Sequence, residues 1–344
     1  MTARFANKNE IENWDNLLRK NSPYDTIFST HEYAEIKILT GYRPRFIVSD
    51  KFYILALEKD IWPLGKFWYL PKGPNVGSVN DFNDAMNEIG DLASSSGVSF
   101  IRAESELPLQ KSSELEALGY VKSTPVIPSQ STILLDISSN IDVILTTLPQ
   151  KSRYSIRRAE RDGVTVHKVS TDEENCKIMY NLLEQTALGQ FGIRGYDYYK
   201  NYWQKFSRAN MGQLFFAKYE GRVVAGAFAL YFNQKSTYKD GASVRDRSAY
   251  GASHLLQWEI IKWAKENGSK IHDLCGSPPS SKIHDKTHPH YNIGLFKTSF
   301  NKTVTDYIGC YDMVINAKKY KIWNKIGERV HKKIYRMKTN DYYY

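Results

Sequence analysis

Apolar residues follow two periodicities along the chain, and the two alternate in a repeated order. Residues 81–95 have helical spacing and are followed by a strand pattern at 98–104, and residues 252–265 and 268–275 show the same two patterns. A series of strand-like segments precedes each pair. The pattern therefore predicts one α/β unit that occurs twice in the chain.

Further segments complete this prediction. Two alternating runs at 212–219 and 222–232 are separated by Glu220-Gly221, which favours a hairpin. The other predicted segments are helices at 9–20, 31–39, 115–121 and 173–188, strands at 45–49, 53–58 and 236–240, and a loop at 192–198 that leads into a helix. Strand meander, helix, strand, short helix and strand is the order of the GNAT acyltransferase fold. We therefore expect an α/β (α+β) protein with two GNAT-like domains.

The helix predicted between Pro149 and Gly163 is strongly basic. Arg153, Arg157 and Arg161 are spaced four apart, so they share one face of this helix. Most such charge runs form a solvated helix face, but this one could also be a positive ridge that binds a polyanion. The pattern alone leaves both interpretations open.

A second basic segment covers residues 316–337 and has helical spacing. Its lysines and arginines accompany an apolar stripe formed by Ile322, Ile326, Val330 and Ile334. We expect the segment to pack on a domain, with its charged side either solvated or facing a polyanion.

The composition is that of a globular protein with acidic partners. The 344 residues are enough for two domains, and the net charge of +10 favours phosphates, nucleic acid or an anionic membrane surface. Three widely spaced cysteines argue against a disulfide framework or a thiolate metal site. The first residues lack the apolar core of a signal peptide, and no apolar run approaches ~18 residues, so we expect a cytoplasmic protein.

One histidine-rich loop is a further candidate for metal binding. His284, His288 and His290 lie near Asp285 in a segment rich in serine and proline. They have neither helical phasing nor a recognised ligand motif, so we expect no metal there.

Short motifs occur in a distinctive order over nearly the whole chain. They are SPY at 22–24, YAEIK at 33–37, LPKGP at 70–74, IRAE at 101–104, LPQKSR at 148–153, IRRA at 156–159, RDGVTV at 161–166, QWE at 257–259, DLCG at 273–276 and GLFKTSF at 294–300. Together they resemble the Fem family of peptidoglycan-bridge aminoacyltransferases, in its short form without a coiled-coil arm.

This resemblance implies two GNAT-like domains: residues 1–137 with 308–344 for precursor binding, and residues 138–307 for the catalytic loop and the donor. The implied reaction moves an amino acid from aminoacyl-tRNA to the stem-peptide amine of UDP-MurNAc-peptide or lipid II, for interpeptide bridges in the cell wall. No metal or dissociable cofactor is implied. We expect a cytoplasmic monomer with peripheral contact to the inner membrane surface.

The resemblance also implies roles for single residues. Lys297, next to Phe296, falls on the catalytic loop, where its ammonium would stabilise the oxyanion that forms during acyl transfer. Lys37 and Arg194 match positions that hold the phosphates of the precursor. The arginine ridge of the 149–163 helix would contact the tRNA.

Three more positions match the family less closely. Tyr198 and His254 fall where the family has substrate-contacting tyrosines, so His254 departs from the pattern. Glu104 takes the place of an aspartate near the acceptor amine. Its extra methylene would shift the carboxylate, so a structural carboxylate at a strand end is at least as good an interpretation as a catalytic base.

Two other functions remain open at this stage. An ordinary GNAT enzyme would use acyl-CoA and hold its pyrophosphate in a Gln/Arg-x-x-Gly-x-Gly/Ala turn at a helix start, but residues 248–253 differ at the first and last of these positions. A non-enzymatic RNA-binding protein would explain the positive charge, but the chain has no RNA-binding motif of the usual kinds.

Overall fold

A mixed β-sheet lies in each of the two units into which the chain divides. The computed structural model describes residues 2–21, 26–127, 130–187, 192–244 and 249–344. The first unit consists of Met1–Gln130 and Asp306–Tyr344, and the second of Ser131–Thr305. The predicted domain boundaries, at 137/138 and 307/308, lie close to these divisions without coinciding with them.

Strands and helices alternate along both units. The strands are β1 (Arg4–Phe5), β2 (Arg43–Val48), β3 (Tyr53–Asp60), β4 (Lys66–Leu70), β5 (Val98–Ala103), β6 (Val121–Lys122), β7 (Ser131–Asp136), β8 (Thr165–Val169), β9 (Gly212–Tyr219), β10 (Arg222–Phe232), β11 (Lys235–Ser243), β12 (Ile271–Gly276), β13 (Thr305–Asp306) and β14 (Tyr311–Val314). The α-helices are α1 (Lys8–Glu12), α2 (Trp14–Asn21), α3 (His31–Ile38), α4 (Val79–Ser95), α5 (Ser112–Ala117), α6 (Ile141–Thr147), α7 (Gln150–Arg161), α8 (Glu173–Ala187), α9 (Tyr196–Arg208), α10 (Ala252–Glu266), α11 (Tyr291–Lys297), α12 (Ala317–Ile322) and α13 (Glu328–Thr339). A π-helical turn, Trp323–Gly327, joins α12 to α13.

The two sheets repeat one arrangement. The strand order is β1-β2-β3-β4-β5-β14-β6 in the first sheet and β13-β7-β12-β11-β10-β9-β8 in the second. In the first, an antiparallel meander β2-β3-β4 is followed by α4 and by β5, which is parallel to β4. In the second, β9-β10-β11, α10 and β12 do the same. The predicted fold class, an α/β unit used twice, is confirmed.

Local sequence explains the hairpin of the second sheet. Glu220 and Gly221, which connect β9 to β10, both have positive φ angles of 49° and 75°. Such turns match the twist of antiparallel strands, and glycine adopts this conformation without steric cost. The predicted turn is therefore confirmed.

Each sheet is covered by the helix that the repeated pattern predicts. Phe82, Met86 and Ile89 of α4 belong to a core cluster with the first sheet. In the second unit, Leu256 and Ile260 of α10 belong to a separate cluster. All six residues of β5 are buried, as expected for a strand in a parallel pair.

The C-terminal segment completes the first sheet. β14 pairs antiparallel with both β5 and β6. Within this ladder, Asp312 accepts hydrogen bonds of 2.8 and 2.9 Å from the guanidinium of Arg102, and both side chains are buried. A buried charge pair with bidentate geometry fixes the register of these strands.

Four predictions about helices were wrong in part. The short helix expected at 115–121 lies earlier, at Ser112–Ala117, and Val121 begins β6. The helix expected at 9–20 is two helices, because Asn13 ends α1 by donating its backbone N–H to Asn9 and Ile11. The loop expected at 192–198 ends earlier, because α9 begins at Tyr196. The C-terminal helix packs on the first unit through Tyr320, Trp323 and Gly327 rather than through its predicted apolar stripe, which is exposed.

Over the described ranges, none of the helices combines the length and the hydropathy that are needed to cross a lipid bilayer.

Candidate functional site

The two parallel strands of the second sheet, β11 and β12, stop pairing before either strand ends. The ladder between β11 and β12 runs from Lys235/Ile271 to Thr237/Asp273, and both strands continue past it. Beyond the ladder, Gly276 of β12 pairs with Thr132 of β7. The end of β12 is therefore paired with β7 on one side, while its ladder with β11 on the other side has already ended.

A buried histidine holds the paired part of these strands to α10. His272 on β12 lies 2.7 Å from the Ser236 hydroxyl and 2.6 Å from the Gln257 side-chain nitrogen. Burial lowers the pKa of His272 to about 4, so the ring is neutral in its hydrogen-bonded position. These contacts give Gln257 of the QWE motif a structural role.

Asp273 shapes the end of β12. One of its carboxylate oxygens accepts hydrogen bonds from the Thr132 hydroxyl and, at 2.7 Å, from the Cys275 backbone N–H. Cys275 itself has a φ of 60°, the left-handed region that a side chain rarely adopts. The turn presents the backbone carbonyl of Gly276 to the end of α11.

Lys297 meets that carbonyl. It is the last residue of α11, its side chain is 7% exposed, and its ammonium donates a hydrogen bond of 2.7 Å to Gly276 O. Burial lowers the pKa of Lys297, while the nearby Cys275 and Asp273 act in the opposite direction. A buried ammonium fixed in this way can donate to an oxygen on which negative charge develops.

Phe296 packs against His254, so the structure brings these two predicted residues together. The ring centroids lie 5.2 Å apart, and the His254 ring stacks on Phe300 at 5.4 Å. Burial lowers the pKa of His254 to about 4, with a smaller contribution from Lys151. His254 is therefore a neutral ring packed against Phe296 and Phe300.

Two serines that the sequence did not single out tie this loop to α7. The Ser299 hydroxyl lies 3.1 Å from His254 Nε2 and donates to Phe296 O at 2.5 Å, and the Ser152 hydroxyl donates to Ser299 O at 2.6 Å. Ser152 lies on the buried face of α7. A serine on the apolar face of a basic helix could have indicated this contact, because a buried hydroxyl needs a hydrogen-bond partner.

Arg194 and Tyr198, also in the second unit, lie together. The Arg194 guanidinium carbon is 4.7 Å from the centre of the Tyr198 ring, a cation–π distance. Tyr180 donates its hydroxyl to Arg194 O at 3.1 Å, which fixes the backbone before α9. Lys239, which the sequence did not indicate, adds a positive charge over the neighbouring Tyr202 ring at 5.3 Å.

Lys37 lies in the first unit and is 5% exposed. Its ammonium is 5.5 Å from the centre of the Tyr33 ring and 5.6 Å from that of Tyr42. The two candidate phosphate ligands therefore differ in setting, since Lys37 is buried between aromatic rings and Arg194 is half-buried.

Glu104 follows β5 in the first unit, with 2% of its surface exposed. Its carboxylate accepts hydrogen bonds from the Tyr69 hydroxyl at 2.5 Å and the Ile127 N–H at 3.2 Å. Burial raises its pKa, and Lys72 and the two hydrogen bonds act in the opposite direction. These contacts are those expected of a structural strand-end carboxyl.

The predicted arginines line one open groove on α7. Its lining includes Gln150, Arg153, Tyr154, Arg157, Arg158 and Arg161. Arg153 donates to the carbonyls of Thr146 and Leu148 at 2.9 and 2.5 Å, so it also caps the end of α6. Arg158 and Arg161 each contact Asp162, at 3.2 and 3.4 Å, and Arg157 is exposed.

The helix start at which a GNAT enzyme would hold pyrophosphate is closely packed. Gly251 precedes α10 with a φ of 78°, and a Cβ atom at this position would lie 2.3 Å from the carbonyl oxygen of Ser155 on α7. Ser248, the first residue of the corresponding motif, lies outside the described residues. Elsewhere, in the described part of the chain, no three His, Cys, Asp or Glu side chains are grouped so as to hold a metal ion.

Comparison with known proteins agrees with the fold. The acetyltransferase (GNAT) domain family matches residues 150–282, within the second unit. The lipid II:glycine glycyltransferases of Staphylococcus epidermidis and Staphylococcus aureus are each 21% identical to this chain, over 91% of its length and 94% of theirs.

Solved structures agree at the level of the fold. The crystal structure of FemX superimposes with a TM-score of 0.78 at 19% identity, over 95% of this chain and 100% of that one. The C-terminal domain of a putative lysylphosphatidylglycerol synthetase from Agrobacterium fabrum gives a TM-score of 0.52 at 16% identity, over 92% and 95%. The chain is thus an acyltransferase with the GNAT fold that resembles the Fem family, as its sequence predicts.

Proposed function

We propose that the protein transfers an amino acid from an aminoacyl-tRNA to the stem-peptide amine of a peptidoglycan precursor. Its relatives are named for lipid II and glycine, which supports a lipid-linked acceptor and makes glycine the first donor to test. In this reaction the amine attacks the ester carbonyl carbon, the bond from that carbon to the ribose oxygen breaks, and one proton of the amine passes to the ribose oxygen, which leaves as a hydroxyl.

The buried ammonium of Lys297 is the observation that carries this proposal. Aminolysis of an activated ester needs correct placement and stabilisation of the tetrahedral oxyanion more than it needs a strong base. An ammonium carries three N–H donors, and the carbonyl of Gly276 accepts one at 2.7 Å. The same group can therefore remain anchored while it donates to the oxyanion.

Two features favour aminoacyl-tRNA over acyl-CoA as the donor. The backbone of α7 contacts Gly251 at the helix start where coenzyme A would place its pyrophosphate. The arginines on the other side of α7 offer positive charge to the phosphates of a nucleic acid. For the precursor's diphosphate, Arg194 is the stronger candidate, because Lys37 is enclosed by the Tyr33 and Tyr42 rings.

The test is a transfer assay with purified protein. Radiolabelled glycyl-tRNA and lipid II should yield a labelled lipid whose mass has increased by one glycine residue or more. Parallel reactions contain UDP-MurNAc-pentapeptide as acceptor, or acetyl-CoA as donor. Consumption of acetyl-CoA with no use of any charged tRNA would overturn the proposal.

The donor side can be tested separately at the arginine ridge. Arg157→Ala should weaken tRNA binding and reduce the slope of log affinity against log salt by about 1, because one phosphate contact is lost. Arg222→Ala is the matched control, since Arg222 is a 67% exposed arginine of the same unit. Equal effects of the two substitutions would place the tRNA away from α7.

A further inference from the structure

The C-terminal helical segment, residues 317–339, exposes a continuous row of apolar side chains. Ile322, Ile326, Val330 and Ile334 are 46–51% exposed, and Met337 is 77% exposed. Successive members are four, four, four and three residues apart, so they share one face of the helix. Apolar residues that are exposed singly are ordinary, but a connected row on one helix indicates a binding surface.

A row of positive charge runs beside this apolar row. Each apolar residue is directly preceded by an exposed basic residue, in the order Lys321, Lys325, Arg329, Lys333 and Arg336. The segment has nine lysines and arginines and a single acidic residue, Glu328. That carboxylate is already paired, with Lys332 at 2.8 Å and Arg102 at 3.3 Å. The surface is therefore both apolar and strongly cationic.

The fold of the segment does not depend on the exposed row. Its opposite side is buried, with the Trp323 ring 5.9 Å from that of Phe67 and 5.8 Å from that of Phe100. Tyr320 donates its hydroxyl to Asp312 at 2.9 Å. The apolar row is consequently free to serve another purpose.

Two segments of the first unit that contact α13 carry further exposed apolar residues. Thr40 O accepts a hydrogen bond of 3.2 Å from Tyr335 on α13, and the residues just before it, Ile38 and Leu39, are 52% and 59% exposed. Trp62 is 82% exposed, and its backbone carbonyl contacts His331 on the same helix. An exposed tryptophan beside such a helix is typical of proteins that lie at a lipid–water interface.

The other basic helix, α7, shows why the two surfaces suit different partners. The aliphatic residues of α7, Ile156 and Ala159, are buried, and Tyr154 is its exposed aromatic residue, so α7 offers arginine to solvent with little aliphatic surface. Phosphates of a nucleic acid need no more than this. The C-terminal segment instead offers isoleucine, valine and methionine beside its charges. Transfer of these side chains out of water lowers the free energy, so they favour a partner with an apolar phase.

We propose that this surface, formed by the exposed row at 322–337 with Ile38, Leu39 and Trp62, binds an anionic phospholipid bilayer. An amphipathic basic helix lies in the plane of the interface, with its apolar side at the acyl boundary and its lysines and arginines at the headgroups. The proposal goes beyond amino-acid transfer, because it concerns where the enzyme is held and does not depend on which donor it uses.

Vesicle binding tests this proposal without any transfer assay. The full-length protein should sediment with vesicles of phosphatidylcholine that contain phosphatidylglycerol, and not with phosphatidylcholine alone. The triple variant Ile326→Ser/Val330→Ser/Ile334→Ser should bind more than about tenfold more weakly, because three apolar side chains no longer enter the interface. Lys325→Gln/Arg329→Gln/Lys333→Gln should lose on the order of 100-fold at low salt and show a shallower salt dependence.

The matched control changes exposed apolar residues of the same unit that lie outside this surface. Leu109 and Leu118 are 41% and 49% exposed, so Leu109→Ser/Leu118→Ser should bind vesicles as the unchanged protein does. Circular dichroism of each variant verifies the fold. Three results would overturn the proposal: equal binding to neutral and anionic vesicles, full binding by the serine variant, or a dimer in solution that the serine variant converts to monomers.

Discussion

The parallel strand pairs of the two units have the same topology but end in opposite chemistry. In the first unit, β5 is directly followed by Glu104, whose buried carboxyl accepts hydrogen bonds from Tyr69 and Ile127. In the second unit, β12 ends at Gly276, whose carbonyl accepts a hydrogen bond from the buried ammonium of Lys297. The repeated fold thus carries a carboxyl at one strand end and a lysine at the other.

The difference indicates how one fold can serve two purposes. The first unit also uses its strand end for structure, because β14 pairs with β5 and Arg102 and Asp312 lock the ladder. In the second unit the ladder between the parallel strands stops after Thr237/Asp273, and Lys297 of α11 contacts the end of β12 beyond it. The following substitutions test whether stability and chemistry are divided in this way.

The largest effect is expected where the first unit is locked. Asp312→Asn leaves the Arg102 guanidinium buried without its bidentate partner, which should lower the free energy of unfolding by about 3–5 kcal/mol. Urea denaturation followed by circular dichroism measures this change. The control is Asp60→Asn, which breaks an ion pair with Arg43 whose side chains are 61% and 54% exposed, and should cost less than about 1 kcal/mol. Similar losses in both variants would mean that the buried pair does not hold the ladder.

The next largest effect is expected on catalysis in the second unit. Lys297→Met keeps most of the apolar stem and removes the charge, so the rate should fall on the order of 10²–10³-fold while the fold is retained. Lys302→Met, at an exposed lysine five residues further along, is the matched control and should retain the rate. Single-turnover kinetics with saturating donor separates the chemical step from binding. An unchanged rate in Lys297→Met would remove the chemical distinction between the two strand ends.

Much of this architecture could be predicted because it depends on local sequence. The spacing of apolar residues in α4 and α10 marks the repeat, and Glu220-Gly221 defines the hairpin by its need for positive φ angles. The limits of α7 also follow from nearby residues, since Pro149 precedes it and Gly163, with a φ of 89°, follows its end.

Other features could not be predicted because they depend on contacts between distant residues. Ser152 and Ser299 are 147 positions apart, and their pairing requires the packing of α7 against the residues that follow α11. The left-handed turn at Cys275 depends on the carboxylate of Asp273 rather than on a glycine. In the C-terminal helix, the spacing predicted one apolar stripe, but only tertiary structure shows that the buried side contains Trp323, which lies outside that stripe.

A histidine of the second unit should make stability depend on pH. Burial lowers the pKa of His254 from 6.5 to about 4, so the unfolded chain takes up a proton before the folded protein does, and stability falls as the pH decreases across that window. His254→Gln can still hydrogen-bond Ser299 but does not titrate, and should reduce this acid-induced loss by on the order of 2 kcal/mol. Urea denaturation between pH 7 and pH 4, roughly the titration window, gives the profile. His284→Gln, at an exposed histidine of the same unit, should show the same dependence of stability on pH as the unchanged protein. The prediction is contradicted if His254→Gln shows that same dependence.

Glu104 provides the opposite case in the first unit, with the smallest effect on catalysis. Burial raises its pKa, so the folded protein binds this proton more tightly than the unfolded chain, and stability is lost as the pH rises from 4.5 through the raised folded value. Glu104→Gln stays neutral and can keep the hydrogen bond with Tyr69, so it should flatten that part of the stability profile while the transfer rate remains close to that of the unchanged protein. Glu114→Gln, at a 51% exposed carboxylate of the same unit, should change neither property. A rate loss in Glu104→Gln as large as that of Lys297→Met would show that the first unit supplies a catalytic base. Both strand ends would then take part in the chemistry, and Glu104 would not serve stability alone.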